Sequence, residues 1–223
     1  MKKLLLILLL YVLVFSSSAH AKIYGNPANE VVKMINVNRT RHGLSNLTTS
    51  PGLGCMALQY VESCKANCTN NTMHCRLNTD DFTEIFAPNC GVELPTFGTI
   101  SGLITGCHTK YLKPSPAFSQ VLVKDQKTAS LVSNKSFQDV GVGIVGDRRK
   151  GPFFWCVLFS TDKVNSTFVL EGHGAGIKQR KGCFSGSSGH RDSCNGDAHG
   201  NYSSSLNYVL AVISISFLQH WLS

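Results

Sequence analysis

The chain has 223 residues, with 21 Lys and Arg against 13 Asp and Glu, a formal charge of +8 and nine cysteines. That length suits one domain with short appendages rather than several large domains. The basic balance points to acidic partners, and the export signals at the two ends exclude nucleic acid from among them.

Lys2 and Lys3 precede a 12-residue apolar run, Leu4 to Phe15, and small residues follow up to Ala19-His20-Ala21. A positive start, a short greasy core and a small-residue cleavage site make a secretory signal peptide. Residues 1–21 are therefore expected to be removed. The run is too short to span a bilayer, which takes about 20 residues.

A glycosylated domain is expected over 22–170. Asn26-Pro27 offers an N-cap and a first-turn proline, Val31, Val32, Met34 and Ile35 follow, and Gly43 can close the end, which predicts a helix over 27–41. Ser50-Pro51 opens a second helix in the same way. Its Leu53, Met56, Ala57, Tyr60, Val61 and Cys64 recur at steps of three and four, which predicts one buried face. The stretch 69–106 is less regular: a short helix fits Asp81 to Phe86, and Pro88, Pro95, Gly98 and Gly102 read as breakers. A third helix is expected from Pro116 to Val132, with Phe118, Val121, Leu122 and Leu131 inside.

Two strands are expected to finish the domain. Val140, Val142 and Ile144 alternate with Gly141, Gly143 and Val145, and Phe153 to Ser160 is an apolar run of buried-strand length. The glycines permit a close approach to the sheet, by a ligand or by a packed helix. Gly146 to Pro152 is a basic hairpin loop between the strands. Beside its Arg148, Arg149 and Lys150, the aromatics Phe153, Phe154 and Trp155 are expected to form an amphipathic rim. Helices first and an antiparallel sheet last imply an α+β layered domain.

From 171 to 196 the sequence is rich in Gly, Ser and His and reads as a flexible C-terminal stalk carrying Lys178, Arg180, Lys181 and Arg191. The end of the chain has the three parts of a glycosylphosphatidylinositol (GPI) signal: small residues Cys194 to Ala198, a polar spacer His199 to Asn207, and an apolar tail. Asn195 and Gly196 are the candidate attachment residues, with 197–223 removed. The tail's uninterrupted part, Tyr208 to Leu218, is 11 residues long and no basic residue follows it, so it reads poorly as a transmembrane span. Loss of both signals leaves 19 basic and 12 acidic side chains, a charge near +7.

In an oxidising compartment most cysteines pair. The disulfide candidates of the domain are Cys55, Cys64, Cys68, Cys75, Cys90, Cys107 and Cys156, while Cys183 and Cys194 could close a loop in the stalk. An odd count leaves at least one over. Cys64 and Cys68 are expected to bond elsewhere rather than to each other. Glycosylation sequons stand at Asn38, Asn46, Asn67, Asn70, Asn134 and Asn165, which implies a heavily sugared surface. Asn38, beside residues expected to be packed, is the first exception among them.

Ile35-Asn36-x-x-Arg39-x-x-x-Gly43-Leu44-x-x-Leu47, the helix around Cys55-Met56-Ala57, and Val140-Gly141-Val142-Gly143-Ile144 resemble the CAP superfamily, also called the SCP or pathogenesis-related type. With Cys68-Thr69-Asn70 and Cys75-Arg76-Leu77-Asn78, the chain is similar over about residues 28–162 to plant GPI-anchored glycoproteins that carry a CAP-like domain. The resemblance implies a CAP-like α-β-α sandwich on the cell surface. Many members of the superfamily hold a metal between two histidines and acidic partners. Here His42, His74 and His108 are isolated, so no metal and no cofactor is expected.

No Gly-x-Ser-x-Gly elbow, His-Glu-x-x-His or phosphate loop occurs, and Ser185-Gly186-Ser187-Ser188-Gly189 lacks the lysine of a phosphate loop. Glu62, Asp80, Asp81, Glu84 and Glu93 are the carboxylates from which a catalytic pair would be drawn. The expected function is a GPI-anchored cell-surface glycoprotein on the extracellular side of the membrane: a non-enzymatic binding, adhesion or signalling module. Its partners would be a wall polysaccharide, an apolar ligand, a peptide or a receptor. The alternative is a secreted hydrolase acting on cell-wall material.

Overall fold

The computed structural model describes residues 25–65, 68–75, 80–93, 99–146, 151–161, 168, 170–174 and 181–187. Helix α1, Pro27–Arg41, begins where the Asn26 side chain accepts the Ala28 N–H at 2.9 Å. It ends in a left-handed turn: Gly43 has φ +68°, its N–H reaches the Thr40 carbonyl, and the Leu44 N–H reaches that of Arg39, both at 3.0 Å. The two-residue strand β1, Thr48–Thr49, follows, and the Ser50 hydroxyl caps helix α2, Pro51–Cys64, by accepting the Leu53 N–H at 3.3 Å.

Among its described residues, the stretch after α2 forms only short elements and is held covalently. Strands β2, Cys68–Thr69, and β3, Thr72–Met73, form a hairpin whose two turn residues, Asn70 and Asn71, both take positive φ. A π-helical turn, Phe82–Phe86, leads into the short helix α3, Ala87–Asn89. Three disulfides, Cys55–Cys90, Cys64–Cys75 and Cys68–Cys107, pin this region to α2 and to strand β4, Thr99–His108. They supply the restraint that its weak apolar pattern does not.

The helix expected over 116–132 is divided into helix α4, Pro114–Ala117, a π-helical turn, Phe118–Leu122, and helix α5, Gln126–Val132. The division lies at Asp125, whose carboxylate accepts the Thr128 N–H at 2.8 Å while the Thr128 hydroxyl returns to the Asp125 backbone. A capping box starts a new helix there in preference to continuing the old one. The backbone and then the side-chain hydrogen bond from Thr128 hold the Asp125 carboxyl below its usual range. A depressed carboxyl contributes stability above its unfolded pKa, about 3.9, and loses it as pH falls through the folded value. Asp125→Ala is therefore expected to lower stability above about pH 5, with the gap to wild type closing in more acid solution; urea unfolding across pH measures it.

Strands β5, Asp139–Gly146, and β6, Phe153–Thr161, form the expected antiparallel pair, but they do not finish the sheet alone. The strand order is β1-β5-β6-β4, with a further strand β7, Cys183–Phe184, beside β5. Strand β4 lies where the glycines suggested breakers. A side chain on Gly102 would strike the Phe137 ring, and one on Gly106 would strike Val121, so both glycines serve packing above a continuous strand.

Alternation along β5 and β6 divides the core in two. On one face Val140, Val142, Ile144, Trp155, Val157 and Phe159 meet α1, the Phe118–Leu122 turn and α5. On the other, Val145, Phe154, Cys156 and Leu158 meet α2. The protein is thus an α+β domain of three layers, α-β-α. Gly141 and Gly143 lie directly beneath the α2 backbone, so a packed helix fills the approach they leave open. Helix α2 buries eleven of its fourteen residues, not one face, because β7 and Phe168 cover what the sheet does not.

Three further expectations need correction. Trp155 is 1% exposed, with Phe153 and Phe154 also buried. They form no rim, because β6 is a central strand covered on both faces; Arg148, Arg149 and Lys150 lie outside the described residues. Cys156, counted as a disulfide candidate, is a free thiol in the core. The flexible stalk expected from 171 does not extend over 181–187: Cys183 and Phe184 pair with β5 and enter the core. Ser185 completes that junction, its hydroxyl accepting the Val142 N–H and its N–H donating to the Val142 carbonyl, both at 2.9 Å.

Candidate binding groove

The outer face of α1 borders the described groove. Ala28, Val31, Val32, Ile35 and Arg39 turn toward the core, which leaves Asn29, Lys33, Val37 and Thr40 on the outward stripe at helical spacing. The segment after the helix doubles back to make the opposite bank. The Asn36 side-chain amide pairs with the Leu47 backbone, donating to its carbonyl at 3.0 Å and accepting its N–H at 2.8 Å. The Thr40 hydroxyl meets Asn46 Oδ1 at 3.0 Å. At the far end the Gly186 N–H donates to Asn29 Oδ1 at 2.8 Å.

Behind this wall lies Arg39, 0% exposed. Its Nε donates to the Ser45 carbonyl and its Nη1 to those of Val132 and Asn134, each at 2.9 Å. One side chain thus fixes the end of α1, the doubled-back segment and the turn after α5. Burial lowers its pKa from the ordinary guanidinium value, which leaves the group cationic at neutral pH.

The result is an open groove of about 840 Å³. Amides and hydroxyls line it together with Val32, Val37 and the cations Lys33 and Arg41. Val37 is 44% exposed, a rare large apolar side chain on this surface. Lys33 shares its charge with Glu30 at 2.6 Å, a solvent-exposed pair of small energetic weight. The groove is not legible in the sequence, because its walls come from positions as far apart as 29, 46 and 186. The faint local signal is Val37, an apolar residue on a polar helical stripe.

The predicted sites are dispersed. Asn38 is half-buried on α1; Asn46 is exposed at the groove; Asn70 is exposed in the β2–β3 turn; Asn134 is half-buried after α5, its Oδ1 accepting the Ser136 N–H at 2.9 Å. Asn67, Asn165, Asn195 and Gly196 lie outside the described residues. None of Glu62, Asp80, Asp81, Glu84 and Glu93 lines the groove, and Glu62 is paired with Lys65 at 2.6 Å. His42 bonds the Asn38 carbonyl and His108 that of Lys110. No group of His, Cys, Asp or Glu suited to a metal occurs among the described residues, and no described helix is long and apolar enough to cross a membrane.

The shifted groups beyond Arg39 and Asp125 also have structural causes. Burial pushes the Cys156 thiol well above its ordinary value. Tyr60 is pushed up first by burial and then by the nearby Cys156. A thiol so placed stays protonated and unreactive. Cys183 is disulfide-bonded; its expected partner, Cys194, lies outside the described residues. Alkylation of the native, unreduced protein is expected to leave Cys156 unmodified, and alkylation in denaturant to add a single group there. Mass spectrometry of the Cys156 peptide checks both, and labelling of the native protein at that site would refute its burial.

No protein-family profile and no curated protein matches the chain. Among solved structures it is similar to an extracellular protein containing an SCP domain from Bacillus anthracis (14% identity, TM-score 0.43, 61% of this chain and 40% of that one). It is also similar to a cysteine-rich secretory protein from Staphylococcus aureus (15%, 0.42, 63% and 40%). An outer surface protein from Borrelia burgdorferi gives 11% identity, a TM-score of 0.43, and coverage of 60% and 90%. The alignment thus spans less than half the length of the first two proteins.

Proposed function

We propose that this protein is a GPI-anchored cell-surface glycoprotein whose CAP-like domain binds acidic polysaccharide of the cell wall in the α1 groove, without catalysis. The observation that carries the reading is the lining of that groove. Arg41 and Lys33 suit uronate carboxylates, the amides and hydroxyls suit sugar hydroxyls, and Val37 suits the apolar face of a sugar ring. The charge near +7 left after loss of both signals favours encounter with a polyanion. Three disulfides between described residues, with Cys183 bonded as well, fit an exported protein, as do the two terminal signals and the six sequons.

The reading is tested by releasing the native protein from membranes with phosphatidylinositol-specific phospholipase and titrating it with an acidic oligouronide. Release is expected, as is binding that weakens with added salt. Arg41→Glu is expected to weaken that binding about tenfold. Binding that ignores both salt and Arg41 would overturn the polysaccharide assignment, and a protein that stays on membranes after the phospholipase would overturn the anchor. Sugar products appearing on prolonged incubation would overturn the non-catalytic part.

A further inference from the structure

We infer that an N-linked glycan on Asn46 controls access to the α1 groove; this rests on reading the groove as the ligand surface. Asn46-Leu47-Thr48 is a sequon, and Asn46 is itself one of the groove's lining residues. Its neighbour Leu47 is buried, with N–H and carbonyl both bonded to Asn36, so the backbone that carries Asn46 is fixed. The Thr40 hydroxyl engages the amide oxygen at 3.0 Å, while Asn46 is exposed and its nitrogen is free to carry sugar. A glycan at this position starts on the bank of the groove.

In the modification, the Asn46 amide nitrogen forms a bond to C1 of an oligosaccharide donated by a lipid diphosphate. The C1–phosphate bond breaks, the nitrogen loses one proton, and the lipid diphosphate leaves. The attached sugars meet the same surface that would take an external polymer. Val37 offers an apolar patch to a sugar ring, and the amides and hydroxyls along α1 offer hydrogen bonds. The linked glycan competes as an intramolecular ligand, with the high effective concentration that tethering gives. Chains with and without the Asn46 glycan are then two forms of one protein, closed and open at the groove.

The experiment uses the full chain made in a glycosylating host, in four forms: wild type, Asn46→Gln, Thr48→Ala and Asn70→Gln. Thr48→Ala removes the sequon while keeping the Asn46 amide and its bond to Thr40. Asn70→Gln removes a sugar from the β2–β3 turn as a control. Wild type carrying the Asn46 glycan is expected to bind an acidic oligouronide about tenfold more weakly than either Asn46→Gln or Thr48→Ala, with Asn70→Gln indistinguishable from wild type. The Asn46 glycan is also expected to resist enzymatic removal from the native protein and to be cleaved after denaturation. An unmodified Asn46 in the mature protein overturns the inference. So do equal affinities of all four forms when Arg41→Glu still weakens binding, and in that case the groove remains the ligand site. If no form binds the probe, the ligand reading fails, and the native resistance to removal decides the glycan's place by itself: resistance upholds it and free cleavage overturns it.

Discussion

Gly143→Ala is expected to cost about 3 kcal/mol, which for a domain of this size lowers the melting temperature by about 10 °C. A methyl group at this position would fall inside contact distance of the Leu58 N and Ala57 C atoms and 2.6 Å from Leu58 Cα. All three are backbone atoms of α2, so no change of rotamer relieves the clash. The helix must lift from the sheet, which opens space around Leu58 and Met56 that nothing fills. Gly141→Ala meets the same obstacle one turn earlier, at Gly54 and Leu53. Urea unfolding gives the magnitude. Native alkylation of Cys156 gives a second readout, because residue 143 pairs with 156 across the strands and a lifted helix exposes the thiol. Unchanged stability would show that the helix does not rest on the sheet as described.

Arg39→Leu is expected to cost about 3–5 kcal/mol. The leucine fills part of the volume but leaves the carbonyls of Ser45, Val132 and Asn134 without their donor. Arg39→Lys keeps the charge but offers a compact ammonium in place of a planar fork, so it is expected to recover only part of the loss. The same variants loosen the groove, since Ser45 leads directly into Asn46. Oligouronide affinity is therefore expected to fall with stability, and a leucine variant as stable as wild type would remove Arg39 from its place as the link between α1 and α5.

The parts of this fold that could be read from sequence are those specified by neighbouring residues. Asn26-Pro27 and Ser50-Pro51 marked the starts of α1 and α2, apolar alternation marked β5, and a continuous apolar run marked β6. The parts that could not be read depend on contacts between distant residues. Strand β4 was hidden because its glycines carry the signature of a turn, and their reason is the ring of Phe137 and the side chain of Val121. Trp155 suggested a rim through its basic neighbours in sequence, whereas its neighbours in space are β4 and β5. The polar composition of 171–196 concealed Cys183 and Phe184, two residues that suffice to extend the sheet. The odd cysteine count required a leftover thiol, but only packing shows that it is Cys156. The groove is the extreme case, with two segments distant in the sequence, around 46–49 and at 186, meeting along α1.

The junction at Ser185 ties the approach to α1 to the far edge of the sheet. Asn26, directly before α1, donates its side-chain N–H to the Phe184 carbonyl at 2.7 Å and to the Ser187 hydroxyl at 3.2 Å, so two segments distant in the sequence are latched together. Cys183 is also held covalently, and a pull that reached β7 through that disulfide would bypass the latch and load the pairing of β7 with β5 directly.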